Sequence, residues 1–339
     1  MYYSAKAEAT IGKIKIEGIT EAEFESSVDE IGGTAKITLP RRFINKNGKA
    51  LLDLIHTGDR VTLKLGYNGK LETEFTGYLA HIGDGTPLVL ECDDDWYKFK
   101  KAAHITKSYT SVSLKTLLQD LCPGYAVECV DFTFSGGYII KDVTPYTVIK
   151  KIKEEVGFCA KLDEQNKQIS CFWPFDFKGF AKHTYVFGTR NGTLLKELRD
   201  KRLAPNIASC ALKFIRKEDR KLQITGKAKQ KKGKPITAVV GCMEADAEKR
   251  TMNFGSDVTS EAELKKRIQT ELENKSFDGY EGIITGFGTP QTKPGDTLKL
   301  VDRENPEREG EYLIKKVKVK YSQSGFRREN ELSYKMHNS

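Results

Sequence analysis

Short runs in which apolar and polar residues alternate recur along the chain between Gly, Asn and Asp, and this period of two predicts twisted strands joined by tight turns. In the first hundred residues it predicts strands over Ala35–Leu39, Arg60–Leu65, Glu72–Leu79 and Leu88–Glu91, with Asn68-Gly69 as a hairpin turn. The middle has a longer period. Leucines at 114, 117, 118 and 121 share one helical face, and Thr144-Pro145 followed by Val148, Ile149, Ile152, Val156 and Gly157 gives a cap, an N1 proline, an apolar stripe and a stop. Strands over Tyr125–Phe132, Phe158–Leu162, Gln168–Phe172 and Thr184–Gly188 and a helix near Thr193–Arg202 complete this region.

From Ile207 onward strand patterns return over Ala211–Ile215, Lys221–Lys229 and Ile236–Gly241, and later over Tyr280–Gly286, Thr297–Val301 and Glu311–Tyr321. Between these two sets lies a predicted helix, Thr259–Lys275, with Ser260 and Glu263 as a capping box and Leu264, Ile268 and Leu272 as its apolar stripe. An internal echo links the two ends of the chain. Gly58-Asp59-Arg60-Val61 leading to Gly77-Tyr78-Leu79 is matched by Gly295-Asp296-Thr297-Leu298 leading to Gly310-Glu311-Tyr312-Leu313-Ile314. The pattern predicts a mainly β fold with α+β insertions, in which two related tube-like β-barrels flank a middle region. The expected divisions are 1–95 for the first barrel, 96–205 for one or two small α+β modules, and 206–339 for the second barrel with a basic hairpin and one amphipathic helix.

Composition changes this picture in two places. The chain of 339 residues carries a net charge of +9, and the run from Lys213 to Lys234 alone accounts for +8. Its cations are Lys213, Arg216, Lys217, Arg220, Lys221, Lys227, Lys229, Lys231, Lys232 and Lys234. Such a stripe suits a partner surface or solvated hairpin, a channel or lumen face, or nucleic-acid phosphates. The second place is Cys171–Phe180, where Trp173, Phe175 and Phe177 lie among five rings too apolar to leave in water; they are expected in a core or at a subunit contact.

Catalytic and metal chemistry find no anchor in the sequence. The five histidines form no His-x-x-x-His or His-x-Glu pattern, the seven cysteines no Cys-x-x-Cys pair, and Asp93-Asp94-Asp95 beside Cys92 alternate in direction along a strand. No catalytic, metal or cofactor-binding residues are therefore expected, and the cysteines read as reduced core thiols. Gly226–Lys234 lacks the spacing of a phosphate loop. No apolar run reaches the length of a membrane span, and Met1–Thr10 lacks a signal-peptide pattern, so a soluble chain made in the cytosol is expected.

Taken in order, the segments resemble phage late control protein D and the related baseplate hub proteins of contractile tails, a group that includes the hub part of VgrG-type spikes. The resemblance rests on Gly58-Asp59-Arg60-Val61 with Phe75-Thr76-Gly77-Tyr78, on Asp94-Asp95-Trp96-Tyr97-Lys98-Phe99, on Gly137-Tyr138 through Thr144-Pro145 to Gly157-Phe158, and on Gly295-Asp296-Thr297-Leu298 with Gly310-Glu311-Tyr312. It implies a homotrimer whose protomers each present a similar surface twice, giving a pseudo-sixfold ring between a tail tube protein and a spike protein, with DNA passing transiently through the lumen. It implies no turnover and a place in a tail baseplate or injection particle. Gly58, Asp59, Gly77, Tyr78, Gly295, Asp296, Gly310 and Tyr312 are then the repeated turns, and Trp96 and Tyr97 the packing at the first domain boundary. A nucleic-acid-binding protein centred on 213–234 and a hub-borne cell-wall hydrolase are the alternatives.

Overall fold

A computed structural model describes residues 4–41, 50–134, 137–164, 166–172, 181–228, 235–254, 260–275 and 278–335. The chain divides into two compact units, one formed by Met1–Lys98, Lys178–Leu212 and Glu281–Ser339, the other by Phe99–Phe177 and Lys213–Tyr280. In chain order, the first unit begins with β1 (Ala5–Ile11), β2 (Ile14–Ile16), β3 (Glu21–Ser27), β4 (Thr34–Leu39), β5 (Arg60–Tyr67), β6 (Lys70–Ile82) and β7 (Leu88–Asp93). The short α1 (Tyr97–Lys100) follows.

The second unit opens with β8 (Ile105–Tyr109), β9 (Val112–Ser113), α2 (Leu114–Leu121), β10 (Ala126–Cys129), β11 (Thr133–Phe134), β12 (Tyr138–Val143), α3 (Pro145–Val156), β13 (Cys159–Asp163) and β14 (Gln168–Phe172). The cap and stop of α3 act as the sequence predicts, Thr144 accepting from the Thr147 amide and Gly157 ending the helix at φ 88°, and Ser113 caps α2 by accepting from the Thr116 amide. The first unit resumes with β15 (Lys182–Val186), α4 (Gly192–Asp200) and most of β16 (Ile207–Ile215), and the second unit continues with β17 (Leu222–Ala228), β18 (Ile236–Gly241), β19 (Glu248–Phe254) and α5 (Glu261–Lys275). The helix α5 lays Leu264 and Ile268 on Leu222, Ile224, Ala228 and Ala238. This approach explains Gly226, which lies in strand β17 and not in a turn: a Cβ there would stand 2.8 Å from Ile268.

The chain then returns to the first unit as β20 (Gly279–Phe287), β21 (Thr297–Val301), β22 (Gly310–Ser322) and β23 (Gly325–Lys335). Here the structure overturns the expected pair of tube-like β-barrels: among the described residues no sheet closes on itself. Both strand groups belong to one open 13-stranded sheet ordered β16-β20-β23-β22-β3-β4-β7-β6-β5-β1-β2, with β21 and β15 branching from β22. The cause is the length of β22. Its first residues pair with β21, while Lys316–Tyr321 pair with Tyr321↔Ala22 to Lys316↔Ser27 of β3. The edge that would close the first group on itself is thereby spent on joining it to the second.

Candidate functional site: a charged seam between repeated hairpins

The two Gly-Asp turns have the same backbone wiring. Gly58, at φ 92°, donates its N–H to the Leu79 carbonyl at 2.7 Å, and the Leu79 amide donates to the Asp59 carbonyl at 2.9 Å. Gly295, at φ 93°, donates to Ile314 at 2.8 Å, and the Ile314 amide donates to Asp296 at 2.9 Å. Each aspartate closes its own turn by accepting an amide three residues back, His56 N–H on Asp59 Oδ2 and Lys293 N–H on Asp296 Oδ2, both at 2.8 Å. A φ near +90° favours glycine, and the short carboxylate can reach back to its own loop, so Gly-Asp suits this turn. The strand pairing shifts at the same place in both copies, between Leu79 and His81 against β7 and between Ile314 and Lys316 against β23.

This wiring makes Leu79 and Ile314 counterparts, so Gly77 corresponds to Tyr312 and not to Gly310. Gly77 lies hard against β7, where a Cβ would come 2.1 Å from the Asp93 carbonyl. Gly310 instead pairs with Leu300 at the start of β22. Tyr78 stacks on Tyr97 with ring centroids 5.3 Å apart, and the Arg60 guanidinium lies 4.8 Å over its ring. Tyr312 is buried and donates its hydroxyl to the Arg308 carbonyl at 2.7 Å. Trp96 is buried beside Gly32, its amide donating to Asp94 Oδ1 at 3.1 Å. The adjacent aspartates are thus taken: Asp94 also accepts from the Gly33 amide at 2.6 Å, and Asp95 pairs with Arg60.

The repeated hairpins meet along the β3–β22 seam. Alternation sends Glu23 and Glu25 of β3 to one face and Ala22 and Phe24 to the other, while Lys316, Lys318 and Lys320 of β22 share the face of the glutamates. Lys316 Nζ lies 2.6 Å from Glu25, and Lys318 Nζ lies 2.7 Å from Glu23. The pattern continues outward, with Lys320 2.6 Å from Glu329 on β23 and Lys36 of β4 3.4 Å from Glu91 on β7. Acidic and basic strands therefore alternate across the face. Each exposed pair is worth only about 0–1 kcal/mol; since the charges of β3 on this face are all glutamates and those of β22 all lysines, the ladder favours β22 as the partner of β3 over another acidic strand.

The Glu25 carboxylate holding Lys316, and the Glu23 carboxylate holding Lys318, raise both amines above their ordinary 10.5. A raised value means that the folded seam favours the charged lysine, so this contribution is whole below pH 10.5 and is lost as the pH climbs through the folded values. The melting temperature is expected to fall above pH 10.5, and to fall less steeply in a Lys316→Gln, Lys318→Gln chain; parallel pH series of thermal melts measure the difference.

Behind the charged face, a buried polar network ties the two hairpins together. Between the pairs Leu63↔Phe75 and Lys64↔Thr73, Glu74 is an extra residue, and this bulge turns both Glu74 and Phe75 inward. Arg328 of β23 meets Glu74 Oε1 at 2.6 Å and also donates to the carbonyls of Gly288 at 3.0 Å and Thr292 at 3.3 Å. Thr292 Oγ1 donates to Asn330 Oδ1 at 2.5 Å, and Asn330 Nδ2 donates to the Tyr185 hydroxyl at 3.0 Å. Burial pushes the Glu74 carboxyl above its usual range, and the Arg328 guanidinium partly offsets this. None of these residues was singled out in the sequence. The available signal is the inward phase of β23, where Arg328 and Asn330 stand between Phe326 and Leu332 in a strict period of two.

The remaining predicted residues are dispersed. Trp173, Phe175, Phe177, Lys229, Lys231, Lys232 and Lys234 lie outside the described residues. Lys213 and Lys227 are exposed; Arg216 lies 3.5 Å from Glu218, and the Lys217 amide donates to Asp278. Arg220 lines a cleft with Leu222 and Cys242, and Lys221 lies 2.5 Å from Glu244 and 2.9 Å from Asp246, which raise its pKa. All seven cysteines are free thiols, and burial pushes Cys92 and Cys122 up to about 12. Among the described residues no cluster of three His, Cys, Asp or Glu side chains could hold a metal ion, and no helix is long and apolar enough to cross a membrane.

No family model matches the sequence. No curated protein matches it either. Solved structures do. A tail protein from Neisseria meningitidis MC58 is 12% identical, with a TM-score of 0.61 over 98% of this chain and 97% of that one. The 43 kDa tail protein of prophage MuSo2 from Shewanella oneidensis is 17% identical, with a TM-score of 0.60 over 97% and 98%. An Escherichia coli component of the type VI secretion system, described as structurally similar to the T4 bacteriophage tail proteins gp27 and gp5, is 10% identical, with a TM-score of 0.52 over 99% and 79%. Along nearly its whole length, the chain therefore has the fold of phage tail and contractile-injection proteins.

Proposed function

We propose that the chain is a structural baseplate hub subunit that forms a trimeric, pseudo-sixfold ring joining a tail tube to a central spike, in a phage tail or a related injection particle assembled in the bacterial cytoplasm. The observation that carries this reading is the repeat: one chain builds the same Gly-Asp hairpin twice and fuses the copies through β3 and β22. Three such chains offer six similar surfaces, which is what a threefold body needs to meet a sixfold tube. The full-length likeness to tail proteins supports the same reading. The subunit acts by shape and binding, without turnover. In this reading the exposed cations of the basic run, Lys213 and Lys227 among them, face a partner or the lumen.

Co-expression with the tube and spike subunits of the same particle, followed by cryo-imaging, tests the proposal. The expected result is three copies between tube and spike. A stable monomer that docks on neither overturns it. DNA binding that collapses with salt and vanishes when 213–234 is neutralised would favour a nucleic-acid-binding protein instead, and peptidoglycan turnover lost on changing one carboxylate would favour a hydrolase.

A further inference from the structure

Four of the seven cysteines, Cys122, Cys129, Cys159 and Cys171, belong to the part of the second unit that holds α2 and the three-stranded sheet β10-β14-β13. Neither the repeated turns nor the seam accounts for them. The register singles out two of the four. The parallel strands β10 and β14 set Cys129 directly against Cys171, as they set Val127 against Ile169 two residues earlier. The period of two then puts these side chains on one face, the inward one, where Val127, Ile169 and Cys171 are buried. On the other side of β14, β13 sets Ala160 against Cys171, and Cys159 pairs with Phe172. Cys122 stands outside the sheet, at the C-cap of α2.

The spacing of the strands suits a covalent bond between the two thiols. Neighbouring strands lie about 4.7–4.9 Å apart, inside the range of about 4.4–6.8 Å between Cα atoms that a disulfide accepts. The Val130 amide donates to the Cys171 carbonyl at 3.0 Å and the Ala126 amide to the Lys167 carbonyl at 2.7 Å, so backbone bonds hold the strands together at both ends of their pairing. The thiols differ in access. Cys171 is 3% exposed, whereas Cys129, the last residue of β10, is half-buried. Burial lifts both thiols above their ordinary range; at Cys129 the Lys115 ammonium opposes the lift, with Asp131 adding a smaller rise. A reagent in solution therefore meets Cys129 first, and Cys171 stands behind it as the resolving thiol.

We infer that Cys129 and Cys171 are a redox-responsive pair, open in a reducing cytoplasm and closed to a disulfide by exchange with a low-molecular-weight disulfide in an oxidising medium. Cys129, its proton given to solvent, attacks one sulfur of the oxidant, whose S–S bond breaks and releases one thiolate. Cys171 then gives up its proton and attacks Cys129 Sγ, which forms the protein disulfide and releases the second thiolate. The two thiolates take up the two protons, so the cysteine pair loses two electrons and the small disulfide gains them. The bond staples an edge strand. In its sheet β10 lies at one end, held to β14 by the four pairs from Ala126↔Gln168 to Cys129↔Cys171, and the loop that the bond closes runs through β12, α3 and β13. Closing so long a loop removes freedom from the unfolded chain and stabilises the folded one. A chain that leaves the cytoplasm in a particle would thus carry this module unlinked during assembly and stapled afterwards.

Thiol counting and peptide mapping test the pair in the full-length chain, purified with its thiols reduced. Oxidised glutathione is expected to lower the number of titratable thiols from seven to five, to give one cystine-linked peptide pair containing Cys129 and Cys171, and to raise the melting temperature by about 5–10 °C. Dithiothreitol is expected to reverse all three changes. In the same oxidant, Cys129→Ser, at a half-buried position, is expected to form no cystine within the chain and to keep its melting temperature, while Cys122→Ala is expected to close the bond as the parent does. A parent count that stays at seven, or stops at six with glutathione held on Cys129, overturns the inference. A cystine that joins any other two of the seven thiols, or that links two chains, overturns it as well. A bond between Cys129 and Cys171 that leaves the melting temperature unchanged removes the staple and with it the role given to the pair.

Discussion

Replacing Arg328 with methionine is expected to lower the unfolding free energy by about 3–5 kcal/mol, the cost of leaving a buried charge without its partner. Both side chains of the Glu74–Arg328 pair are almost fully withdrawn from water, at 2% and 1% exposure. Without the guanidinium, the Glu74 carboxylate keeps Gln291 Nε2, 3.4 Å away, as its donor among the described residues, and the carbonyls of Gly288 and Thr292 lose the Arg328 donor. The effect should reach both hairpins, because Glu74 belongs to the first and Arg328 to the second. Changing both partners, Glu74→Leu with Arg328→Met, is expected to recover most of the loss, since a hydrophobic pair of similar volume avoids the desolvation of two ions. Urea titrations of the parent, the single variant and the double variant measure the three values. A single variant within about 1 kcal/mol of the parent would show that water reaches the pair.

Gly77→Ala is expected to be the next most damaging change, by about 1–3 kcal/mol or more. Its Cβ would stand 2.1 Å from the Asp93 carbonyl and 2.6 Å from the Phe75 ring, and the carbonyl is backbone that cannot turn aside. The strand β6 would have to part from β7 beside the Gly-Asp turn that Leu79 secures. Gly69→Ala is the control, because nothing lies within 4 Å of its Cβ and only its φ of 82° opposes the change. That conformational cost is about 1–2 kcal/mol. Gly77 itself has no positive φ, so a Gly77→Ala thermal melt that matches the parent would show that β6 and β7 part without cost.

Where local chemistry decides an element, the sequence shows it. The cap at Thr144, the stop at Gly157 and the stripe Leu264–Ile268 all stand in the structure as their spacing predicts. The strand β3 was not legible in the same way. Its sequence EAEFESS alternates, but its inward positions are Ala22, Phe24 and Ser26, and its outward glutamates suit a loop or a helix equally well. It becomes a strand because the lysines of β22 stand opposite, nearly three hundred residues away in sequence. The strand β1, AKAEATI, is hidden for a similar reason, since alanine on its inner face is a helix former when seen locally.

The candidate site divides along the same line. Gly58, Asp59, Gly295 and Asp296 were visible because a positive φ and a self-closing carboxylate are requirements of a single turn. Glu74, Arg328, Asn330 and Tyr185 were not, because each is one polar residue in an apolar strand phase and gains meaning only when the others arrive.

By itself the sequence determined which segments extend, which coil, where the chain turns, and that one turn occurs twice. These follow from side-chain period, caps and backbone freedom within a few residues. Only the tertiary structure decided that the two strand groups form one open sheet and not two closed barrels. That choice rests on which distant strand satisfies the edge of β3, and hydrogen-bond donors and acceptors on an edge carry no mark in the sequence of the partner they will meet.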